Sequence, residues 1–222
     1  SFAKFIAVGE GGTTLYSTDS KIWTPSTKIT PQNLNAIAAN GSLAIAVGDN
    51  GAVMTSKDAI TWTMATNVPT SSHLYGISYT SAGNWLAVGA GGTILTSGDG
   101  LTWTAQKSGS SADLKGVGSM TNFTNNVTSY QFIVVGANGT ILSSPDAITW
   151  TAQSANTTAN FNALSTTNQF LAVGSGGTVV ISLDGITWKS QASKTTANLT
   201  NLLRAQNMYI AVTNTGGIIY SK

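Results

Sequence analysis

The amino-acid sequence predicts an all-β fold, a β-propeller of four-stranded antiparallel blades, with six blades favoured and five possible. Three observations support this prediction. A repeat of about 40 residues recurs along the 222-residue chain, each repeat carries a two-residue turn typical of β-hairpins, and no stretch has a sustained helical period. Small repeated sheets bury both faces by stacking around an axis. We therefore predict a single domain over residues 1–222.

The repeat is visible as five segments that align without gaps. They are FIAVGEGGTTLYSTD (5–19), LAIAVGDNGAVMTSKD (43–58), WLAVGAGGTILTSGD (85–99), FIVVGANGTILSSPD (132–146) and FLAVGSGGTVVISLD (170–184). A sixth copy, YIAVTNTGGIIYS (209–221), stops where its aspartate would come. Because the copies are in phase, one structural unit is expected for each of them.

Each unit is predicted to contain four short strands. In the second unit these are LNAIAA (34–39), LAIAVG (43–48), AVMTS (52–56) and ITWTMA (60–65). The turns between second and third strands are Gly11-Gly12, Asn50-Gly51, Gly91-Gly92, Asn138-Gly139 and Gly176-Gly177. Such pairs tolerate the positive φ of type I′ turns. Counting over the chain gives five first, six second, six third and five fourth strands, which favours six blades with incomplete terminal units.

A second motif lies between the third and fourth strands. It reads Ser-x-Asp, and a tryptophan follows four positions after the aspartate. The aspartates are Asp19, Asp58, Asp99, Asp146 and Asp184, and the tryptophans are Trp23, Trp62, Trp103, Trp150 and Trp188. This pattern resembles the Asp-box, or BNR, repeat, although it is one residue shorter than the commoner S-x-D-x-G-x-T-W form. The wider sequence looks like bacterial propellers related to sialidases and photosystem assembly factors.

These ten residues are predicted to support the scaffold. An aspartate in a tight turn accepts hydrogen bonds from backbone N–H groups one to three residues further on, and the tryptophan can pack over the hairpin. Every blade must satisfy its turn donors whether or not a ligand is present. We therefore assign the set to structure and not to catalysis or metal binding.

Enzyme chemistry is not predicted. The resemblance to sialidases implies an arginine triad for a substrate carboxylate, but Arg204 is the only arginine. Outside the turns, the acidic residues are Glu10, Asp49 and Asp113, and no motif indicates a facing catalytic pair. One histidine and no cysteine leave no zinc pattern. We predict no catalytic residue, no metal and no cofactor.

Composition limits the partners further. Only 8% of the residues are charged, and the ten basic residues are scattered, so no stripe suited to nucleic acid is present. No apolar run approaches the ~18 residues of a membrane span, so no membrane insertion is expected. The Thr-, Ser- and Asn-rich, cysteine-free composition suggests a bacterial secreted or cell-surface protein.

Polar residues recur at equivalent places in the repeats and are the candidate ligand-binding set. The residue before each first strand is polar, and Glu10 and Asp49 both follow an Ala-Val-Gly triplet. The set comprises Asn33, His73, Asp113, Asn160, Asn198, Glu10 and Asp49. Local structure is the alternative explanation: Asx-type capping of the strand entry for the first five residues, and exposed turn positions before glycine for Glu10 and Asp49. A ring of them near the channel mouth predicts a lectin-like carbohydrate site repeated over blades. The alternative is a structural or protein-binding propeller that uses the insertion MTNFTNNVTSY (120–130).

Overall fold

The computed structural model describes residues 4–124 and 126–221 of the chain. Over these ranges the structure is all-β, with 22 strands in six antiparallel sheets and no α-helix. The only helical segments there are single 3₁₀ turns of three residues. The predicted fold class is therefore confirmed, and the six sheets support the favoured count of six over five.

Sheets I, II and III come from the first half of the chain. Sheet I contains β1 (Phe5–Val8), β2 (Thr14–Ser17) and β3 (Thr24–Pro25). Sheet II contains β4 (Leu34–Ala39), β5 (Ala44–Gly48), β6 (Val53–Ser56) and β7 (Thr63–Met64). Sheet III contains β8 (Leu74–Tyr79), β9 (Trp85–Gly89), β10 (Ile94–Ser97) and β11 (Thr104–Gln106).

Sheets IV, V and VI come from the second half. Sheet IV contains β12 (Leu114–Thr124), β13 (Val127–Gly136), β14 (Ile141–Ser144) and β15 (Thr151–Gln153). Sheet V contains β16 (Phe161–Thr166), β17 (Phe170–Gly174), β18 (Val179–Ser182) and β19 (Lys189–Gln191). Sheet VI contains β20 (Leu199–Ala205), β21 (Met208–Thr213) and β22 (Ile218–Tyr220). Among the described residues, sheet I therefore lacks the first strand of the repeat and sheet VI lacks the fourth.

The turn between second and third strands has the predicted geometry. In sheet II the N–H of Ala52 donates to the carbonyl of Asp49 at 3.0 Å, and the two residues between them, Asn50 and Gly51, have φ of 54° and 69°. Two successive left-handed residues define a type I′ turn, whose twist matches that of the flanking strands. The 3₁₀ segments at these turns are Glu10–Gly12, Asp49–Gly51, Ala90–Gly92, Ala137–Gly139 and Ser175–Gly177.

The fourth strands are shorter than the sequence suggests. The predicted strand 60–65 of sheet II is reduced to Thr63–Met64. The carboxylate of Asp58 accepts the N–H groups of Ile60 and Thr61, so these donors are engaged in the turn and not in the sheet. The first strand, by contrast, has the predicted bounds of 34–39.

Within each half of the chain, the apolar core lies between consecutive sheets. All five residues of β5 are buried, as are all five of β9 and β17, because a middle strand is covered on both faces. Such strands are apolar throughout and do not alternate with polar residues. Apolar clusters join sheets I and II, II and III, IV and V, and V and VI.

The chain divides between Gln106 and Lys107 into two compact units, one with sheets I to III and the other with sheets IV to VI. The prediction of a single domain stays a prediction. Within the described ranges, no helix has the length and apolarity needed to span a bilayer.

Candidate functional site

The turn aspartates bind their own backbone. Oδ1 of Asp184 accepts the N–H groups of Ile186 and Thr187 at 2.8 and 2.7 Å and the hydroxyl of Ser182 at 2.9 Å. The same contacts recur at Asp19, Asp58, Asp99 and Asp146. The N–H groups of Thr187 and Ile186 lower the pKa of Asp184 to about 2. The carboxylate therefore stays ionised at neutral pH and organises the turn.

Acid is expected to weaken these turns. The pKa of Asp184 is about 2 in the folded chain against its usual value of 3.8, so the folded state binds fewer protons. The stabilisation is present above pH 3.8 and is lost as the pH falls towards about 2. We expect the melting temperature to fall over this window, and to fall less in Asp184→Asn, which keeps an acceptor oxygen without the charge. Equal falls in both proteins would contradict this origin.

Three of the predicted amide residues join consecutive sheets. Oδ1 of Asn33 accepts the N–H of Gly11 at 2.8 Å, and Asn160 and Asn198 accept in the same way from Asn138 and Gly176, each at 2.9 Å. Each acceptor stands before the first strand of one sheet, and each donor belongs to the type I′ turn of the preceding sheet. The side-chain oxygens at these positions therefore form bonds between sheets, a role different from capping their own strands.

Asp49 is the centre of a polar cluster that gathers several predicted residues. Its carboxylate accepts from Asn33 at 2.9 Å and from Asn35 at 3.0 Å, and lies 2.9 Å from Nδ1 of His73. Hydrogen bonds from Asn35 and then from His73 lower the pKa of Asp49. The structure thus brings together three of the seven predicted ligand-binding residues and adds Asn35, which sequence reasoning missed: it bonds to Asp49 in its own repeat and to the carbonyl of Leu74 in the next.

The other predicted polar residues stand apart from this carboxylate cluster. Glu10 is exposed at the start of the turn in sheet I, and Asp113 is exposed just before β12, where its backbone carbonyl accepts the N–H of Ala137 at 2.8 Å. Within residues 4–124 and 126–221, no three His, Asp or Glu side chains are grouped closely enough to hold a metal ion.

The insertion at 120–130 is a continuation of two strands. β12 and β13 stay paired from Gly116–Val135 out to Thr124–Val127, whereas β14 pairs with β13 only as far as Phe132. Residues 120–124 and 126–131 therefore project beyond the sheet as a two-stranded hairpin, which we call the arm. Phe123 is 70% exposed and Val127 is 62% exposed on it. The predicted loop is thus largely paired backbone that carries two exposed apolar side chains.

Comparison with known proteins bears on the fold. No protein-family model and no curated protein matches the sequence. Among solved structures, the chain is similar to YCF48 bound to a D1 peptide, with a TM-score of 0.72 and 22% identity over 98% of this chain and 74% of that one. It is also similar to YCF48 from Cyanidioschyzon merolae, with a TM-score of 0.68 and 14% identity over 97% and 77%. The chain has the β-propeller fold.

A designed protein gives the same result. The computationally designed Ika8 matches with a TM-score of 0.71 and 14% identity over 99% of this chain and 68% of that one. Because all three identities are low, the similarity concerns the propeller fold and not a shared function. The sheets described above are accordingly its blades. Among the described residues, the arm and the Asp49 cluster distinguish individual blades of this propeller.

Proposed function

We propose that this propeller is a non-enzymatic protein-binding module that docks a partner through the arm. The observation that carries the proposal is the pair of apolar side chains near the end of the arm, Phe123 and Val127, which are both largely in solvent. A large aromatic side chain held in water on a paired hairpin gains free energy when a partner covers it. Phenylalanine, tyrosine and methionine are enriched in interfaces, and the arm contains one of each.

The arm belongs to one blade only. In sheets II, III, V and VI, two to five residues connect the first and second strands, whereas in sheet IV these strands extend to 11 and 10 residues. A repeat protein that uses equivalent sites would repeat this feature in every blade. A single projection favours one asymmetric partner surface.

The chemistry of the arm indicates the kind of partner. The segment 120–131 contains no charged residue, and β13 has no partner from β14 beyond Phe132. An uncharged strand with a free edge can accept an extended segment through backbone hydrogen bonds, while side-chain contacts provide specificity. We therefore propose that the partner presents an extended and largely uncharged protein segment. The complex of YCF48 with a D1 peptide supports this proposal, because a propeller of similar fold binds a peptide.

The other functions considered have less support. A lectin site would use the amide residues that stand before the first strands. The side-chain oxygens of Asn33, Asn160 and Asn198, however, accept hydrogen bonds from backbone N–H groups. The turn aspartates are similarly engaged, and their lowered pKa values do not suit a general acid. Carbohydrate binding, the Asp-box assignment and a secreted or surface location stay predictions.

The experiment begins with a photo-crosslinking amino acid at position 128, which pairs with Phe123 across the hairpin. Proteins crosslinked in the source cells are identified by mass spectrometry, purified and titrated against the unlabelled chain. We expect Phe123→Ser to weaken the direct affinity at least about tenfold, as for a central interface residue.

Phe5→Ser is the matched control. Phe5 is also an exposed phenylalanine, at 53%, but it lies in sheet I and outside the arm. Its substitution is expected to leave the affinity unchanged. Equal affinity of Phe123→Ser and the unsubstituted chain for every purified candidate would refute docking through the arm.

A further inference from the structure

A groove between sheets II and III lies at the turns that contain their aspartates. It has a volume of about 720 Å³, which is within the range of small-molecule sites. Lys57 and Asp58 line it from the turn of sheet II, and Asp99 and Leu101 line it from the turn of sheet III. The indole of Trp85, which is 1% exposed, belongs to the same lining. Charged, apolar and aromatic groups therefore meet in this groove.

The hydroxyl of Thr55 is a buried polar group of the lining. Thr55 is 7% exposed in β6 and lines the groove. Within the part of the chain that the structure describes, its hydroxyl forms no hydrogen bond with another residue. Buried hydroxyl groups are nearly always hydrogen-bonded, because an unpaired one loses its bonds to water without replacement. A ligand that donates to Thr55 would therefore gain a favourable contact.

Two other sheets show what binds the equivalent hydroxyl. In sheet III, Nε2 of Gln106 donates to the hydroxyl of Thr96 at 2.8 Å. In sheet IV, Nε2 of Gln153 donates to the hydroxyl of Ser143 at 2.9 Å. Thr96 and Ser143 are the third residues of their strands, as Thr55 is of β6. The fourth strand thus supplies a side-chain donor to this position in both sheets.

Sheet II has alanine where the donor is expected. Gln106 pairs with Ile94, the first residue of β10. The first residue of β6 is Val53, whose carbonyl accepts the N–H of Ala65 at 2.9 Å, so Ala65 has the place of the glutamine. Because alanine has no side-chain donor, the hydroxyl of Thr55 is left for a donor from outside the chain.

Donors and acceptors are mixed in the rest of the lining. Oδ1 of Asp58 and of Asp99 is bound within each turn, which leaves the Oδ2 atoms as acceptors. Nε1 of Trp85 and Nδ2 of Asn40 are donors without a partner among the described residues. A hydroxyl group both donates and accepts, so a molecule with several hydroxyls matches this mixture. Its C–H groups can pack on Leu101 and Trp85.

We propose that the groove between sheets II and III binds a small, neutral polyhydroxylated molecule of the monosaccharide class. One ligand hydroxyl donates to Thr55, and others donate to the free oxygens of Asp58 and Asp99. Two carboxylates against one ammonium group in the lining disfavour an anionic ligand. The site lies outside the seven residues predicted from the sequence, and it does not depend on the function proposed for the arm.

Neutral sugars test the site directly. The probes are D-glucose, D-galactose, D-mannose and N-acetyl-D-glucosamine, screened against the full chain by saturation-transfer NMR and titrated by calorimetry. We expect at least one of them to bind saturably, with one molecule per chain. Thr55→Val keeps the shape of the side chain without its hydroxyl, and we expect it to weaken this affinity at least about tenfold. The melting temperature should not fall, because the hydroxyl has no partner within the described chain.

Three further variants locate the binding. Ala65→Gln supplies the donor found in sheet III and should weaken sugar binding by occupying the hydroxyl of Thr55. Thr96→Val removes the equivalent hydroxyl of sheet III, so it should lower the melting temperature and leave sugar affinity unchanged. Phe123→Ser alters only the arm and should also leave sugar affinity unchanged, so the two proposals can fail separately. Absence of saturable binding of every sugar up to tens of millimolar, or affinity unchanged by both Thr55→Val and Ala65→Gln, would overturn the proposal.

Discussion

Replacement of Trp103 by alanine is expected to destabilise the chain by about 3–5 kcal/mol, as for other buried tryptophans. Trp103 is 4% exposed in the cluster between sheets II and III, and its Nε1 donates to the carbonyl of Gly100 at 3.2 Å. Truncation therefore leaves a cavity and an acceptor without its indole donor. The loss would be a large part of the 5–15 kcal/mol that stabilises a typical domain.

Trp23→Ala is the internal control for this prediction. Trp23 has the same place in its repeat, but it is 40% exposed, so we expect a loss of about 1 kcal/mol or less. Both residues lie in the same compact unit, and the free energy of unfolding in urea provides the comparison. Similar losses for the two substitutions would contradict burial as the cause.

The difference in burial between these two tryptophans could not be predicted from the sequence. In-phase repeats predict the strands well, since every copy must form the same hairpin, and the counts of first, second, third and fourth strands agree with the structure over the described residues. The burial of a repeated residue depends on the adjacent sheet. The sequence assigns Trp23 and Trp103 the same role, whereas packing against sheet II covers only Trp103.

The candidate sites were less predictable for a related reason. Asn33 and Asp49 are recognisable as recurrent polar positions, but each also has a partner in another repeat: Asn33 bonds to Gly11, and Asp49 to His73. A periodic pattern contains no information on such pairs. The length of the 120–130 insertion is evident from the sequence, yet its continued pairing depends on cross-strand contacts such as Phe123 with Thr128, which the repeats do not contain.

The surface of one blade therefore differs from that of another where the sequence departs from the repeat. The turn aspartates and the type I′ turns recur because every blade needs them, and they have the same contacts in each copy. Among the described sheets, the arm occurs only in sheet IV. Binding sites are commonly carried by such variable elements on a regular scaffold, and the docking surface proposed above is the arm.

The second large effect is expected at Gly177. Its φ is 72°, and a Cβ at this position would collide with the carbonyl oxygen of Thr195 and approach the hydroxyl of Ser193. Alanine would add left-handed strain of about 1–2 kcal/mol to displacement of the backbone that leads into sheet VI. We expect Gly177→Ala to cost more than about 3 kcal/mol, in the range of strongly overpacked sites.

The preceding residue provides a stringent control. Gly176 has φ of 64°, and nothing lies within 4 Å of a Cβ placed there. Gly176→Ala adds only the left-handed strain, partly offset by the lower entropy of the unfolded chain, so its cost is expected to stay near 1 kcal/mol. Chemical denaturation of both variants measures the difference, and a cost at Gly176 as large as that at Gly177 would exclude the collision as the cause.

The repeats themselves support this distinction between the two glycines. The first position of the turn is asparagine in two blades, Asn50 and Asn138, both at positive φ, whereas the second is glycine in all five type I′ turns. Asparagine tolerates the left-handed region, but its Cβ at position 177 would still collide with the carbonyl of Thr195. Gly176→Asn should therefore be nearly neutral, and Gly177→Asn should destabilise the chain at least as much as Gly177→Ala.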